Sequence, residues 1–386
     1  MTDASLLTLD GHGQRAESFR FDLLDQHNSS LGKLDVIEDE APQVANNINS
    51  TVKRTLTGLL LPPSVTKDIN TLSDRVQMWM VLEDGTEYSQ GVFLFADASR
   101  AEAFYASTDF VLGEGETPGA DSALGQFTTG TLSDQLMTLD QGSRGINFYA
   151  AGASIYDALV QQMEAGNVEQ YAIEATDAVI AQPIVWKPNT KRLAVINDLC
   201  RMAGFYSLFF DNNGVGQLRS VPPLEAVDAT VEYTPGTNVI AGSVVETDDL
   251  LKAPNSYVVV NSSFTQSPIW GEWLVPASAP HSYANRLFYV VAEYDQPGAE
   301  SNASARKMAK AIGQADYATY RWVNLDSAIN PIHDTFTIAA WKGDKYREQQ
   351  WSYTARAGEN MHHEFRRVWS DDVADELIEQ EQGQGA

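Results

Sequence analysis

The sequence predicts a mainly β protein with α+β insertions, and three observations carry that prediction. Apolar and polar residues alternate through most of the first hundred positions, the period of a half-buried strand. Helical spacing is confined to the middle of the chain and to one stretch past residue 300. Strand signals bounded by Gly, Pro and Asn return in the last third.

Phe19, Phe21 and Leu23 alternate with Arg20 and Asp22 and predict a strand over 18–24. A polar turn leads to Leu31-Gly-Lys-Leu34, and the acids Glu38, Asp39 and Glu40 follow. Residues 52–61, rich in Thr and Leu, end at Pro62-Pro63. Val76, Met78, Met80 and Leu82 alternate with Arg75, Gln77, Trp79 and Val81. Both faces are largely apolar, which suggests a strand covered on both sides. Glu83-Asp-Gly-Thr86 is a turn of the Asp-Gly hairpin type, with 91–95 as the returning strand. Residues 114–125 mix Gly, Pro and acids without a period and read as a mobile surface loop. No Gly-Lys-Ser/Thr follows, and Glu114 and Glu116 would repel a phosphate. Alternation resumes over 128–139.

After Gly145 the pattern changes. Ser154 is placed to cap a helix carrying Ile155, Ala158, Leu159 and Met163, ended by Gly166. Thr190 is placed to cap the next, which holds Leu193 to Met202 and ends at Gly204. Tyr206, Leu208 and Phe210 then alternate, Asp211-Asn-Asn-Gly214 turns, and Gln217-Leu-Arg219 returns. Pro222-Pro223 closes this block. Strand signals follow at 238–246, 256–261 and 287–292. The longest helical pattern is 301–320, with Ala305, Met308, Ile312 and Ala315 on one face and Asn330-Pro331 as its stop. Residues 334–341 read as a strand with Phe336, Ile338 and Ala340 on one face, and 351–353 and 365–369 as closing strands. The end of the chain is acidic and rich in Gln and Gly, the composition of a disordered tail.

Composition excludes several functions. Among 386 residues, 52 acids face 26 Lys plus Arg, a net charge of -26. Gripping nucleic acid requires cations that displace phosphate counterions, so a DNA binder is excluded, and an anionic lipid surface is disfavoured. The 43% hydrophobic content excludes a wholly disordered chain. A single cysteine, Cys200, permits no internal disulfide and no multi-Cys zinc site. It shares an apolar helical pattern with Leu193, Ile196 and Leu199, which predicts a buried, inert thiol. The N-terminus lacks the basic flank of a signal peptide, and no run approaches the ~18 apolar residues of a membrane span. Synthesis in a cytoplasm, without a membrane anchor, is the expectation.

No catalytic constellation emerges, and no cofactor or metal is predicted. There is no Gly-x-Ser-x-Gly elbow. His362-His-Glu364 lacks the zinc-protease spacing, and adjacent His residues on a strand point to opposite faces, so a solvated turn or one buried ring is expected. Asp211-Asn-Asn-Gly214 has the oxygen content of a calcium loop, but Leu218-Arg219 stand where acids are needed, and a hairpin turn suffices. Asp248-Asp249 and the acids at 38–40 would serve a glycosidase only at a spacing the sequence does not give. Trp270 and Trp273 lie near Pro268, Gly271 and Pro276 in what reads as a loop, a candidate contact or carbohydrate-stacking surface.

Three stretches, taken in order, resemble one family. The first is Phe19-Arg-Phe-Asp-Leu-Leu-Asp25, Leu31-Gly-Lys-Leu34, 46–55 ending in Val52-Lys-Arg-Thr55, Ile69-Asn70, Asp74-Arg-Val76, Leu82-Glu-Asp-Gly85 and Gly91-Val-Phe-Leu94. The second is Thr131-Leu-Ser-Asp134 with Leu139-Asp140. The third is 194–206 with Asn197, then Leu208-Phe-Phe-Asp211 and Gly214, with Pro254-Asn255 before Tyr257-Val-Val-Val260. Their order and spacing resemble the tail hub proteins, or minor tail proteins, of long-tailed bacteriophages. The likeness covers most of 17–370 and weakens over 264–290.

The resemblance implies two tail-tube-like β-barrel domains with smaller helix-containing domains attached. It divides the chain into a flexible N-terminus (1–16), a first tube-like β domain (17–150), and a small α+β domain (151–222). A second tube-like domain follows from 223–262 and 330–370, then an inserted domain with the long helix (263–329) and a disordered acidic tail (371–386). Leu31, Gly32, Asn70, Asp74, Gly85, Gly91, Phe93, Asp134, Asn197, Asp211, Gly214 and Asn255 are structural motif residues by this likeness, with no catalytic role. It implies a homotrimer at the virion tail tip, in the baseplate. Distal tail or tail-tube proteins, the tape-measure C-terminus and receptor-binding or central fibre proteins would be its partners, and DNA would pass through unbound. The rival readings are a cell-wall or glycan hydrolase of the tail tip and a carbohydrate-binding adhesin.

Overall fold

The computed structural model describes residues 17–37, 41–62, 69–103, 125–221, 229–262, 268–277, 279–296, 299, 301–316 and 320–369. The expectations for 1–16, 38–40, Pro63, 114–124, Pro222-Pro223 and 370–386 lie outside these residues. The protein is mainly β, with few helices.

A thirteen-stranded sheet organises the chain. Its N-terminal part runs Ser30–Leu34, Glu17–Leu24, Arg75–Leu82, Glu87–Ala103, Gly125–Ser133, Arg54–Leu61 and Gln43–Asn47 in spatial order, every pair antiparallel. The hairpin at Gly85 is as expected: φ is +84°, and Thr86 N donates to Asp84 Oδ1 at 2.8 Å. In Arg75–Leu82, Val76, Met78 and Met80 are fully buried while Gln77, Trp79 and Val81 are half-buried, so the second face is only partly covered.

The C-terminal strands continue the same sheet. Asp344–Thr354 pairs along one edge with Asn360–Trp369, which pairs with Arg321–Ala328, which pairs with Val245–Asp248. Along its other edge Asp344–Thr354 changes partner. Residues 344–347 bond Ile338–Trp341, which also carries Val231–Tyr233 in parallel, and 350–354 bond Gln43–Asn47. The register shifts between Glu348 and Gln350. A bulge adds one residue and flips the pleat. Tyr346 accordingly enters the C-terminal core, with Tyr233, Trp341 and Phe365, while Trp351 and Tyr353 enter the N-terminal core, with Val44, Leu56 and Met361. The strand path among the described residues stays open at both ends, without barrel closure.

The small α+β unit packs helices Ile155–Ala165 and Arg192–Ala203 over short strands, around Leu159, Ile196, Leu199 and Leu208. Ser154 caps the first helix as expected, accepting from Asp157 N. The second begins one residue later than expected: Lys191, not Thr190, is the N-cap, and no side chain caps it. Gly204, at φ +74°, ends it in the left-handed region. Cys200 is buried, and burial pushes its thiol up to about 12.

Between Asp248 and Arg321 the chain forms a separate unit. Ser256–Asn261 pairs antiparallel with Ile269–Leu274 and parallel with Val291–Asp295, under the helix Asn302–Asp316. Several expectations are corrected here. The segment holding Trp270 and Trp273 is a strand; the β-preferring run Ile-Trp-Gly-Glu-Trp-Leu outweighs the flanking Pro. The strand expected over 287–292 starts at Val291, because Leu287 sits at φ +61°. The long helix is described over Asn302–Asp316, and 321–328, expected to lie ahead of its Asn330-Pro331 stop, is instead a strand of the large sheet, with Val323, Leu325 and Ser327 inward. The inserted unit thus takes in 256–261 and gives up 321–328, unlike the 263–329 expected. Of 334–341 only Ile338–Trp341 is strand, since Phe336 takes φ +61° to stack on Tyr206.

Candidate functional site

The loop 329–337 runs where the two cores and the α+β unit meet, and two buried polar clusters form around it. The first is built on Arg54, whose guanidinium is 2% exposed. Nη1 donates to Gln90 O at 3.2 Å and Asn212 Oδ1 at 2.5 Å; Nη2 donates to Asp334 Oδ1 at 2.9 Å. The guanidinium also lies over the Trp351 ring, 5.4 Å from its centre. One side chain therefore joins the N-terminal sheet, the 211–214 turn and the 329–337 loop. Asn212 Nδ2 returns a bond to His333 O at 2.9 Å, and Gln90 Nε2 reaches Pro331 O at 2.9 Å. Asp134 closes the other end, accepting from Arg54 N at 2.9 Å and Leu136 N at 3.0 Å. Burial pushes its carboxyl up to about 6 despite these bonds and the nearby charges of Arg54 and Lys53.

The second cluster is His333, Glu348 and His363, with side chains 1%, 2% and 0% exposed. The bulge turns Glu348 inward at the boundary between the cores, and His363 comes from the neighbouring strand Asn360–Trp369, opposite Trp351. Glu348 Oε2 contacts His333 Nε2, and Oε1 lies 2.6 Å from His363 Nδ1. Burial works against the Glu348 charge, but the two imidazoles outweigh it and hold the carboxyl below its ordinary range. On its far side His363 Nε2 lies 2.8 Å from Ser327 Oγ and 3.3 Å from Tyr233 Oη. His362 points the other way, exposed, to Asp326, into a cleft of about 510 Å³ on the outer face of these strands. Strand alternation and one buried ring were thus readable from His362-His363; the partners, 15 and 30 residues before His363, carried no local signal.

The residues singled out in the sequence separate by place. Asp134, Asp211, Gly214, Gly91 and Phe93 gather around the Arg54 joint. Asp211 Oδ1 accepts from Asn213 N and Val215 N, shaping the turn that presents Asn212. Gly214 is at φ +76°, and a Cβ there would sit 2.8 Å from Val92 Cγ2. At Gly91 (φ +140°) a Cβ would meet the Phe93 ring at 2.8 Å. Elsewhere, Asn197 Oδ1 accepts from Leu208 N, tying helix to hairpin, and Asn255 holds Phe288 O and Val290 N. Asn70 and Asp74 close a turn on each other, and Leu31 and Gly32 lie on an exposed edge strand. Asp248 pairs with Arg321 and Asp249 with Lys252, so these two acids serve surface ion pairs.

The two tryptophans face opposite ways. Trp273 packs toward the helix, where a Cβ on Gly313 would strike its ring at 2.1 Å. Trp270 is 50% exposed on the other face of that sheet, where Leu274 and Val291 are also exposed. No helix among the described residues is long and apolar enough to cross a membrane.

No protein-family model matches the chain, and no curated protein matches it by sequence. Solved structures do match its fold. The 43 kDa tail protein of prophage MuSo2 from Shewanella oneidensis superposes with a TM-score of 0.59 at 8% identity, covering 91% of this chain and 98% of that one. The tail protein from Neisseria meningitidis MC58 gives 0.58 at 8% identity, covering 92% and 99%. The prophage tail protein gp18 from Listeria monocytogenes EGD-e gives 0.50 at 8% identity, covering 95% and 100%. The fold is that of phage tail proteins, almost end to end.

Proposed function

We propose that this protein is a structural component of a phage virion: the tail-tip, or baseplate, hub. In this reading three copies form a ring that continues or closes the tail tube and organises host-contact proteins for DNA delivery. The observation that carries it is the span of the likeness, 91–92% of this chain against 98–99% of two tail proteins. The ordered motifs support it, since several converge on the Arg54 joint, where three parts of the chain are fastened together. A ring that bears load needs such fastening more than it needs a cleft. The exposed face carrying Trp270, Leu274 and Val291 suits contact with a neighbouring tail protein. A tube wall facing DNA must not hold it, and a chain of net charge -26 meets that need.

Two measurements test the proposal. Light scattering of the purified chain should give three times the 42.4 kDa chain mass. Electron microscopy of particles carrying a labelled chain should show density at the tail tip. A monomer at all concentrations, together with label absent from the tip, overturns the hub reading.

A further inference from the structure

The proton count of the buried histidine cluster leads beyond this reading. Ser327 has one hydroxyl hydrogen, and Oγ lies 2.8 Å from the carbonyl of Ala328 and 2.8 Å from His363 Nε2. Both contacts are hydrogen bonds only if Ser327 donates to the carbonyl and accepts from His363 Nε2–H. That fixes a hydrogen on Nε2. Nδ1 of the neutral ring is then a bare lone pair, 2.6 Å from Glu348 Oε1. An ionised carboxylate only accepts, so two lone pairs face each other in a site without exposure. A positive centre has to stand between them. At 2.6 Å only a proton fits between them, and a metal cation that bound both atoms would displace it and part them.

We propose that His333, Glu348 and His363 form a binding site for a divalent transition metal of the zinc class. Several features suit the cluster to a cation that takes the place of this proton. One ligand atom from each of the three residues lies within 4.8 Å of the other two, close enough to surround one ion. Two imidazoles and one carboxylate are a donor set such ions take, leaving a fourth position for water or an exogenous ligand. Ser327 supplies the outer contact that ligating histidines require, presenting Nδ1 as the donor. His333 meets Glu348 Oε2 through Nε2, and its Nδ1 has no hydrogen-bond partner, so the ring proton can move to Nδ1 when Nε2 takes an ion. The site's place between the two sheet cores makes it structural, a clasp rather than a reaction centre.

Titration calorimetry of the chelator-stripped full chain with zinc chloride should show one saturable ion per chain. The thermal midpoint should rise with zinc concentration, as a native-state ligand requires. Glu348→Gln should abolish the saturable phase. Ser327→Ala, which keeps all three ligands, should weaken it about 10-fold. His362→Gln, on the exposed face, should leave it unchanged. Should Glu348→Gln fail to fold, X-ray absorption of the zinc-loaded native chain decides, with two imidazole nitrogens in the coordination sphere expected. Absence of a stoichiometric ion, an affinity unaffected by Ser327→Ala, or zinc held at the exposed His27 or His362 pairs overturns the proposal. A doubly protonated His363 ring seen by nitrogen NMR in the presence of excess zinc does so too.

Discussion

Arg54 and Asp334 form an ion pair of 2.9 Å in which the guanidinium is 2% exposed and the carboxylate 33%. The asymmetry sets the energetics. Asp334 can turn to water if its partner is lost, whereas Arg54 cannot. Arg54→Ala removes the bonds to Gln90, Asn212 and Asp334 together and should cost about 3–5 kcal/mol. Asp334→Asn retains an acceptor near water and should cost about 1 kcal/mol or less. Urea denaturation of both variants checks the ranking; equal losses would refute it.

Asp134 makes stability depend on pH. Its carboxyl titrates at about 6 in the fold, against 3.8 for an unperturbed group. Between these values the native state keeps a proton that the unfolded state has released. Stability from this group therefore falls as pH rises from about 4 to 6, by at most roughly 3 kcal/mol, and levels off above. Asp134→Asn cannot titrate and should flatten that limb. Parallel pH profiles for the two proteins, by urea midpoint, would contradict the assignment.

Gly271 lets the inserted helix approach its sheet. A Cβ there would lie 2.2 Å from Arg306 N and 2.5 Å from Ala305 C, both backbone atoms that cannot step aside. Gly271→Ala should cost about 1–3 kcal/mol by overpacking. Gly236 has open space around it and φ +79°, so Gly236→Ala should show only the left-handed backbone penalty, about 1 kcal/mol. Thermal midpoints of the two variants separate the mechanisms.

Cys200 should resist thiol reagents. It is buried, and its thiol is pushed up to about 12. A disulfide-exchange reagent at pH 8 should leave the native chain unlabelled over hours and label one thiol per chain at once in denaturant.

Much of this architecture was legible because strands carry their pattern locally. Phe19 to Leu23 and Val76 to Met80 state their inward faces residue by residue, and Ser154 and Gly166 bracket their helix. The failures share a cause. At Phe336 and Leu287 the backbone turns left-handed to meet a tertiary partner or a turn, and apolar alternation there imitated a strand. At 321–328 the inward face ends in Ser327, whose polarity hid it, although that hydroxyl is fully buried against His363. The histidine cluster unites three elements through a bulge, and no window of the sequence contains all three. The Arg54 joint likewise spans 280 positions between the two ends of its ion pair.

The inserted unit leaves the large sheet at Asp248 and rejoins it at Arg321, and these residues are direct partners on adjacent antiparallel strands, bonded side chain to side chain at 2.9 Å. The entire unit is therefore grafted onto what would otherwise be the tip of a hairpin. Replacing 249–320 by an Asn-Gly turn would restore an ordinary hairpin at that position, with the ladder beneath it unbroken. Any folded module whose ends lie one strand spacing apart would fit the same socket. Such an exchange would change what this face of the chain touches while the scaffold beneath kept its register.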